Sequence, residues 1–226
     1  SDTVASATCS ASSADAGGGT ATASKLAEVH PSLPAVPPAE RARQKLQRPS
    51  VIWLTGLSGA GKSTIANALD QALFARGRHS YIIDGDNLRG GLNQGLDFSE
   101  AGRAENIRRA AHVARMMADA GLIVIVALIS PRAADREQAR GIIGAADFIE
   151  VFVDAPLEVC RARDTKGLYA RAQHGRVANF TGVSAAYEPP ASPAVRVETA
   201  SSSAGDAVTA ILNHLGDREQ AAPTRT

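Results

Sequence analysis

An α/β fold, a three-layer sandwich built on a mainly parallel five-stranded sheet, is predicted for this chain by three observations. Apolar β-branched runs alternate with stretches of helical periodicity between Val51 and Leu215. The run Leu122-Ile123-Val124-Ile125-Val126-Ala127-Leu128-Ile129 is apolar on both faces, as a central parallel strand covered on each side must be. A glycine-rich loop joins the first strand directly to the first helix, the connection that opens a parallel crossover unit.

The elements follow in order. Val51-Ile52-Trp53-Leu54-Thr55 is the first strand, and Gly56 to Thr64 the loop. A helix begins near Lys62 and carries Ile65 and Leu69 at helical spacing. His79-Ser80-Tyr81-Ile82-Ile83 reads as the second strand, ending in Asp84-Gly85-Asp86. A long helix is expected from Glu100 to Ala120, with Ile107, Ala110, Ala114 and Met117 on one stripe and Gly121 as its C-terminal cap. After the central strand come a helix over Ala134 to Ile143 and the strand Phe148 to Val153, with Pro156 opening a further helix. Val195 to Thr199 completes the sheet and Ala207 to Leu215 closes the domain.

Outside this core the composition changes. Residues 1–24 are mostly Ala, Ser, Thr, Gly and Asp, too poor in large apolar groups to offset the entropy of ordering. Pro31 to Pro38 reads as a linker and Ala39 to Gln47 as a short basic helix. The expected organisation is a disordered leader and linker over 1–49, one folded domain over 50–216 and a flexible tail over 217–226. With 226 residues, 44% hydrophobic and 21% charged, the chain has material for one substantial core. A net charge of +1 points to neither a nucleic acid nor a membrane partner, and no run approaches the ~20 apolar residues of a membrane span. Asp2 and Asp15, with no basic residue before Lys25, argue against a secretory or transit leader. Two cysteines, Cys9 and Cys160, build no disulfide framework and suggest a reducing compartment, hence the cytoplasm.

The chemistry centres on Gly56-Leu57-Ser58-Gly59-Ala60-Gly61-Lys62-Ser63-Thr64, which fits G-x-x-x-x-G-K-[ST] between a strand and a helix. Glycines let successive N–H groups aim inward, and the helix adds the positive end of its dipole, so Gly56, Ser58, Gly59, Ala60, Gly61, Lys62, Ser63 and Thr64 form a polyphosphate cradle. Lys62 is expected at the β and γ phosphates and the Ser63 hydroxyl on Mg²⁺, making ATP and Mg²⁺ the expected cofactors. The rest of the chain selects among proteins that carry this loop. No N-K-x-D guanine motif occurs, and the central strand ends in Ser130-Pro131 rather than in the aspartate of a motor or transporter ATPase. The acidic pair instead follows strand two. That suits a kinase whose acceptor hydroxyl lies near Asp84 and Asp86, with Asp86 orienting or deprotonating the hydroxyl and sharing the metal with Ser63.

Many ordered blocks then carry a resemblance. Asp84-Gly85-Asp86-Asn87-Leu88-Arg89, Gly91-Leu92-Asn93, Phe98-Ser99, Arg103, Glu105-Asn106-Ile107-Arg108-Arg109, Ile129-Ser130-Pro131, Phe152 to Cys160, Arg163-Asp164-Thr165-Lys166-Gly167-Leu168-Tyr169 and Phe180-Thr181-Gly182-Val183 closely resemble adenylylsulfate kinases. The resemblance, from about Ser50 to Leu215, implies transfer of the ATP γ-phosphoryl group to the 3′-hydroxyl of adenosine 5′-phosphosulfate (APS), giving 3′-phosphoadenosine 5′-phosphosulfate (PAPS). It also implies a substrate site of Asp84, Arg89, Phe98, Arg103, Asn106, Ile129, Ser130, Lys166 and Phe180. Arg89, Arg103 and Asn106 would meet the phosphosulfate, Phe98 and Phe180 would sandwich the purine, and Lys166 would ride on a mobile lid over Asp164 to Thr181. The resemblance also implies a phosphoserine intermediate at the I-S-P serine, which makes Ser130 a catalytic candidate as well as a pocket residue; no evident base stands near it in sequence, which favours the pocket role and leaves the relay open. The family further implies a homodimer and an ATP sulfurylase partner or fusion.

Some positions depart from the family pattern: Gly102 stands where an acidic residue is common, Arg132 and Ala133 where an aromatic and an arginine are usual, and Ser184-Ala185-Ala186-Tyr187-Glu188 where D-x-P-Y-E is common. Two other readings stay open on the residues alone, a related small-metabolite or nucleoside kinase and a non-catalytic nucleotide-binding module.

Overall fold

A computed structural model describes residues 34–164, 167–173 and 180–220. From Val36 onward they belong to one compact unit. Its elements are α1 (Pro38–Gln44), β1 (Ser50–Thr55), α2 (Lys62–Phe74), β2 (Ser80–Asp84), α3 (Gly85–Gly90), α4 (Glu100–Asp119), β3 (Ile123–Ala127), α5 (Ala133–Ile143), β4 (Phe148–Asp154), α6 (Leu157–Arg163), α7 (Leu168–Gln173), β5 (Val195–Glu198) and α8 (Ala204–Gln220). The five strands pair in the order β2-β3-β1-β4-β5, every pairing parallel.

The three layers follow from the period of two in the central strands. Ile52 and Leu54 of β1 face one side with Ile125 of β3 and Val151 of β4, against Ile65, Leu69 and Leu73 of α2 and Ile211 of α8. Val51 and Trp53 face the other side with Val124 and Val126, against Ile107, Ala110, Ala111 and Ala114 of α4 and Ile143 of α5. Each fully buried Val, Ile or Leu on these faces contributes roughly 1.5–3 kcal/mol. Because β1 lies at the centre with all six residues buried, the loop that follows it emerges in the middle of the sheet's carboxyl edge.

Several boundaries differ from expectation, each for a local reason. Leu128 and Ile129 leave the β3 ladder because the chain turns at Ser130, which has φ 38°, while Thr55 Oγ1 donates to Ile129 O at 2.8 Å. The D-G-D segment at the end of β2 leads straight into the short helix α3, capped by Asp84, whose Oδ1 accepts from Asp86 N at 2.9 Å. The folded unit also begins earlier than Ser50. Gln47 is buried, its Nε2 donating to His79 O at 2.9 Å and Gly121 O at 2.8 Å while its Oε1 accepts from His79 N at 2.8 Å, so it ties the segment after α1 to the starts of β2 and β3. At the other end α8 continues to Gln220, past the expected start of the tail at 217. The leader over 1–33, with Cys9, and residues 221–226 lie outside the described residues, and no described helix is long and apolar enough to cross a membrane.

Candidate active site

Where β1 ends, the backbone must pass so close to its neighbours that side chains are excluded. A Cβ on Gly56, at φ +152°, would lie 2.3 Å from Val153 O, and one on Gly59, at φ +77°, would lie 2.6 Å from Cys160 O. The loop therefore rests on the end of β4 and on α6, and α2 starts at Lys62 from Gly61 without a side-chain cap. First-turn N–H groups of α2 are left for an anion. Lys62 is buried within the loop and its Nζ donates to Gly56 O at 2.9 Å and Leu57 O at 2.7 Å. An ammonium on a flexible stem can exchange such carbonyls for phosphate oxygens without rearranging the backbone.

The acidic side of the site comes from β2. Ser63 Oγ donates to Asp84 Oδ2 at 2.9 Å, joining the first turn of α2 to the carboxyl end of the neighbouring layer. This pair offers only oxygen ligands, one of them charged. It fits a hard divalent cation that takes one or two protein groups and completes its shell with phosphate and water. Asp86 is exposed on α3 and lines the same cavity. Among the two carboxylates it is thus Asp84 that touches Ser63.

The cavity measures about 800 Å³ and runs from the loop to a basic wall on α3 and α4. Arg103 Nε donates to Phe98 O at 3.0 Å and its Nη1 to Thr181 Oγ1 at 2.8 Å. Arg89 Nη1 donates to Leu96 O at 2.9 Å, and its guanidinium lies 4.2 Å from the centre of the Phe98 ring. Burial lowers the pKa of both arginines, and the Arg89 charge lowers that of Arg103 further. Two crowded, partly desolvated cations gain from any anion that enters between them. Asn106, Ile129, Ser130 and Phe180 line the cavity as well. Phe98 is half-exposed whereas Phe180 is buried, its ring edge-on to Tyr169 at 5.0 Å.

Gly102 is explained by this wall. A Cβ there would lie 2.3 Å from Asp97 Oδ1 and 2.6 Å from Asp97 O, because Asp97 folds over Ser99, the cap of α4, and Ser99 Oγ accepts from Gly102 N at 3.0 Å. An acidic side chain does not fit at this point of the chain.

Ser130 is held on every side. Its buried Oγ accepts from Trp53 Nε1 at 3.0 Å, and its carbonyl accepts from Arg136 Nη1 at 2.8 Å. Arg136 is itself buried, pairs with Glu150 Oε1 at 2.9 Å and donates through Nη2 to Glu188 O at 2.8 Å. Tyr187 OH meets Thr55 Oγ1 at 3.0 Å, and burial pushes its pKa to about 12. The Tyr187-Glu188 end of the altered motif thus still clamps the Ser130 turn. Replacing Arg136 by methionine leaves the buried Glu150 carboxylate with the longer 3.5 Å contact from Arg140 Nη2 in place of a close, buried partner, and a loss of about 3 kcal/mol is expected. Thermal or urea unfolding checks it, and Arg136→Met with Glu150→Leu should recover most of the loss.

Of the segment expected as a lid, α7 is described. Asp164 caps it, accepting from the N–H groups of Leu168, Tyr169 and Ala170. Tyr169 OH donates to Ser58 O at 3.0 Å, tying this helix to the cradle. Lys166 lies outside the described residues. Among the predicted cradle residues, Gly56 and Ala60 do not line the cavity: Gly56 abuts Val153, and Ala60 is buried, its carbonyl accepting from Thr199 Oγ1 at 2.8 Å.

Against this geometry, the family model for adenylylsulphate kinase matches residues 48–198. The chain belongs to the adenylylsulfate kinase family. An adenylyl-sulfate kinase of Aeromonas hydrophila is 54% identical over 181 residues, 80% of this chain and 90% of that one. The bifunctional enzyme NodQ of Rhizobium sp. strain N33 is 57% identical over 183 residues, so this chain spans 28% of that relative's length. The Mycobacterium tuberculosis APS kinase CysC, solved in complex with AMPPNP and APS, superposes with a TM-score of 0.72 at 44% identity over 75% of this chain and 98% of that one.

Within this adenylylsulfate kinase fold, several residues of the site escape a reading by motif. Thr199 at the end of β5 and Arg163 at the end of α6 join across the cradle, Arg163 Nη2 donating to Thr199 O at 2.6 Å, and both line the cavity with Ser202 and Ala204. For Thr199 the trace in sequence is a polar residue at a strand's carboxyl end, whereas Arg163 already stands in the block Arg163 to Tyr169 that carries the resemblance. Arg136 had a clearer one: Glu150 sits inside the apolar run Phe148 to Val153 and requires a buried cation.

Proposed function

We propose that this chain transfers the γ-phosphoryl group of ATP to the 3′-hydroxyl of APS, forming PAPS and ADP. The observation that carries the reading is that one cavity joins the anion cradle, the Ser63–Asp84 pair and the Arg89–Arg103 wall. Cradle amides and Lys62 hold the β and γ phosphates as charge shifts toward the leaving ADP oxygen. Arg89, Arg103 and Asn106 take the phosphosulfate of APS, and Phe98 and Phe180 enclose its adenine. Asp86 orients the 3′-hydroxyl and receives its proton as the oxygen attacks in line. Ser63, with Asp84 and Asp86 at the same end of the sheet, would hold Mg²⁺, which supplies charge neutralisation at the β and γ oxygens when bound. Ser130 shapes the acceptor pocket. Its hydroxyl accepts from Trp53 and donates to the Leu128 carbonyl at 3.4 Å, and among the described residues no base hydrogen-bonds to it, which supports the pocket role over a relay.

Lys166 is assigned to the lid over this acceptor, closing with α7 to exclude water, since hydrolysis of ATP competes with transfer. The same reading carries a homodimer, a reducing cytoplasmic setting and a sulfurylase partner or fusion. The relatives called bifunctional, of which this chain spans about a quarter, support the last of these. ATP turnover with APS, compared with a panel of nucleosides and sugar acids, tests acceptor choice. Stimulation by APS alone is expected, and stimulation by another acceptor with none by APS would exclude the reading.

A further inference from the structure

We infer that Asn93, buried behind the cavity, is a positioning residue that locks the Asn106 side-chain amide with its NH₂ toward the substrate, so that this point of the wall receives only an acceptor atom. Asn93 is 1% exposed, and its Nδ2 donates to Asn106 Oδ1 at 2.8 Å and reaches Asn106 backbone O at 3.5 Å. The backbone oxygen decides the orientation of both amides. A carbonyl only accepts, so the Asn93 atom facing it must be the NH₂. The Asn106 atom facing that same NH₂ must then be Oδ1. With Oδ1 turned back to Asn93, the Asn106 NH₂ is left on the cavity side, and among the described residues it donates to no protein group.

Two features separate this arrangement from ordinary core packing. Asn93 Oδ1 is buried and has no hydrogen-bond partner, so half of the side chain's capacity is spent for nothing while the other half meets Asn106. An apolar residue of similar size would avoid that cost. The backbone around Asn93 is pinned independently of its side chain, by Asn93 N to Leu88 O at 2.8 Å and by Arg109 Nη1 to Leu92 O at 3.2 Å, so the turn does not need the amide to hold its place. Asn106 stands one helical turn from Arg103 on α4, so the NH₂ and the guanidinium address the same anion if the acceptor is APS, the part of the inference that rests on the proposed function.

The test compares Asn93→Ala, which removes the lock, with Asn93→Asp, which keeps the shape but replaces the donor by an acceptor and draws the Asn106 NH₂ inward. The KM for APS is expected to rise about tenfold in Asn93→Ala and further in Asn93→Asp, with the KM for ATP changed less than about twofold. In an Asn106→Ala background, Asn93→Ala should cost nothing more, because its effect runs through Asn106. Equal rises in both KM values, or fully additive losses in the double variant, would overturn the inference. A second readout needs no substrate. The Asn106 side-chain ¹⁵N–¹H pair, assigned by its disappearance in Asn106→Ala, should shift and broaden in both Asn93 variants, and an unchanged pair would sink the lock even if the chain phosphorylates some acceptor other than APS.

Discussion

Lys62→Ala lowers kcat by ~10²–10³ or more, the range for removing one preorganised charge-stabilising group from a transition state. The side chain stands at the first residue of α2, directly after the glycine-rich loop, and lines the cavity. Its ammonium also satisfies the carbonyls of Gly56 and Leu57, so some loop rigidity is lost with the charge. Unfolding and ATP binding measured beside turnover separate the two effects: a folded variant that still binds nucleotide but transfers slowly is the expected result. Lys62→Arg should not restore the rate, because a planar guanidinium neither fits the ring of loop carbonyls nor acts as a point charge. Wild-type turnover in either variant contradicts the cradle.

Asp84→Asn is expected to be of similar size, a fall of ~10²–10³ in kcat. The substitution keeps an oxygen able to cap α3 through Asp86 N but removes the negative charge beside Ser63 Oγ. If that charge helps to hold the metal, more Mg²⁺ is needed at saturating ATP. Asp86→Asn makes the contrast. Because Asp84 rather than Asp86 touches Ser63, Asp86→Asn is expected to lower kcat through the acceptor hydroxyl with a smaller shift in the Mg²⁺ requirement than Asp84→Asn. A magnesium titration of the two variants therefore assigns the roles, and a shifted requirement in Asp86→Asn alone would reverse them.

Much of the fold was legible because its signals are local. The apolar run Val51 to Thr55, the two-sided run at β3 and the alanine stripe of α4 each declare an element from its own residues. The cradle was legible for the same reason, since its spacing and flanking strand and helix are contiguous. What sequence conveyed poorly were choices between neighbours and pairings across elements. D-G-D offers two carboxylates two residues apart, and only the start of α3 at Gly85 turns Asp84 toward Ser63 and leaves Asp86 on the helix. Asn93 was visible inside Gly91-Leu92-Asn93, yet it lies in the turn after α3 and its partner stands thirteen positions away on α4. Gln47, in a segment that reads as linker, is buried only because the starts of β2 and β3 arrive beside it. The departure at Gly102 reads as a weak point of a helix, whereas Asp97 occupies the space a side chain would need.

The most direct test of the central claim, that a single cavity brings the polyphosphate cradle against an acceptor site for a sulfated adenylate, is transfer of label from [γ-³²P]ATP by the purified chain with Mg²⁺ and APS. The predicted result is PAPS labelled at its 3′-phosphate, formed one for one with ADP. Release of labelled phosphate at a rate indifferent to APS would contradict it.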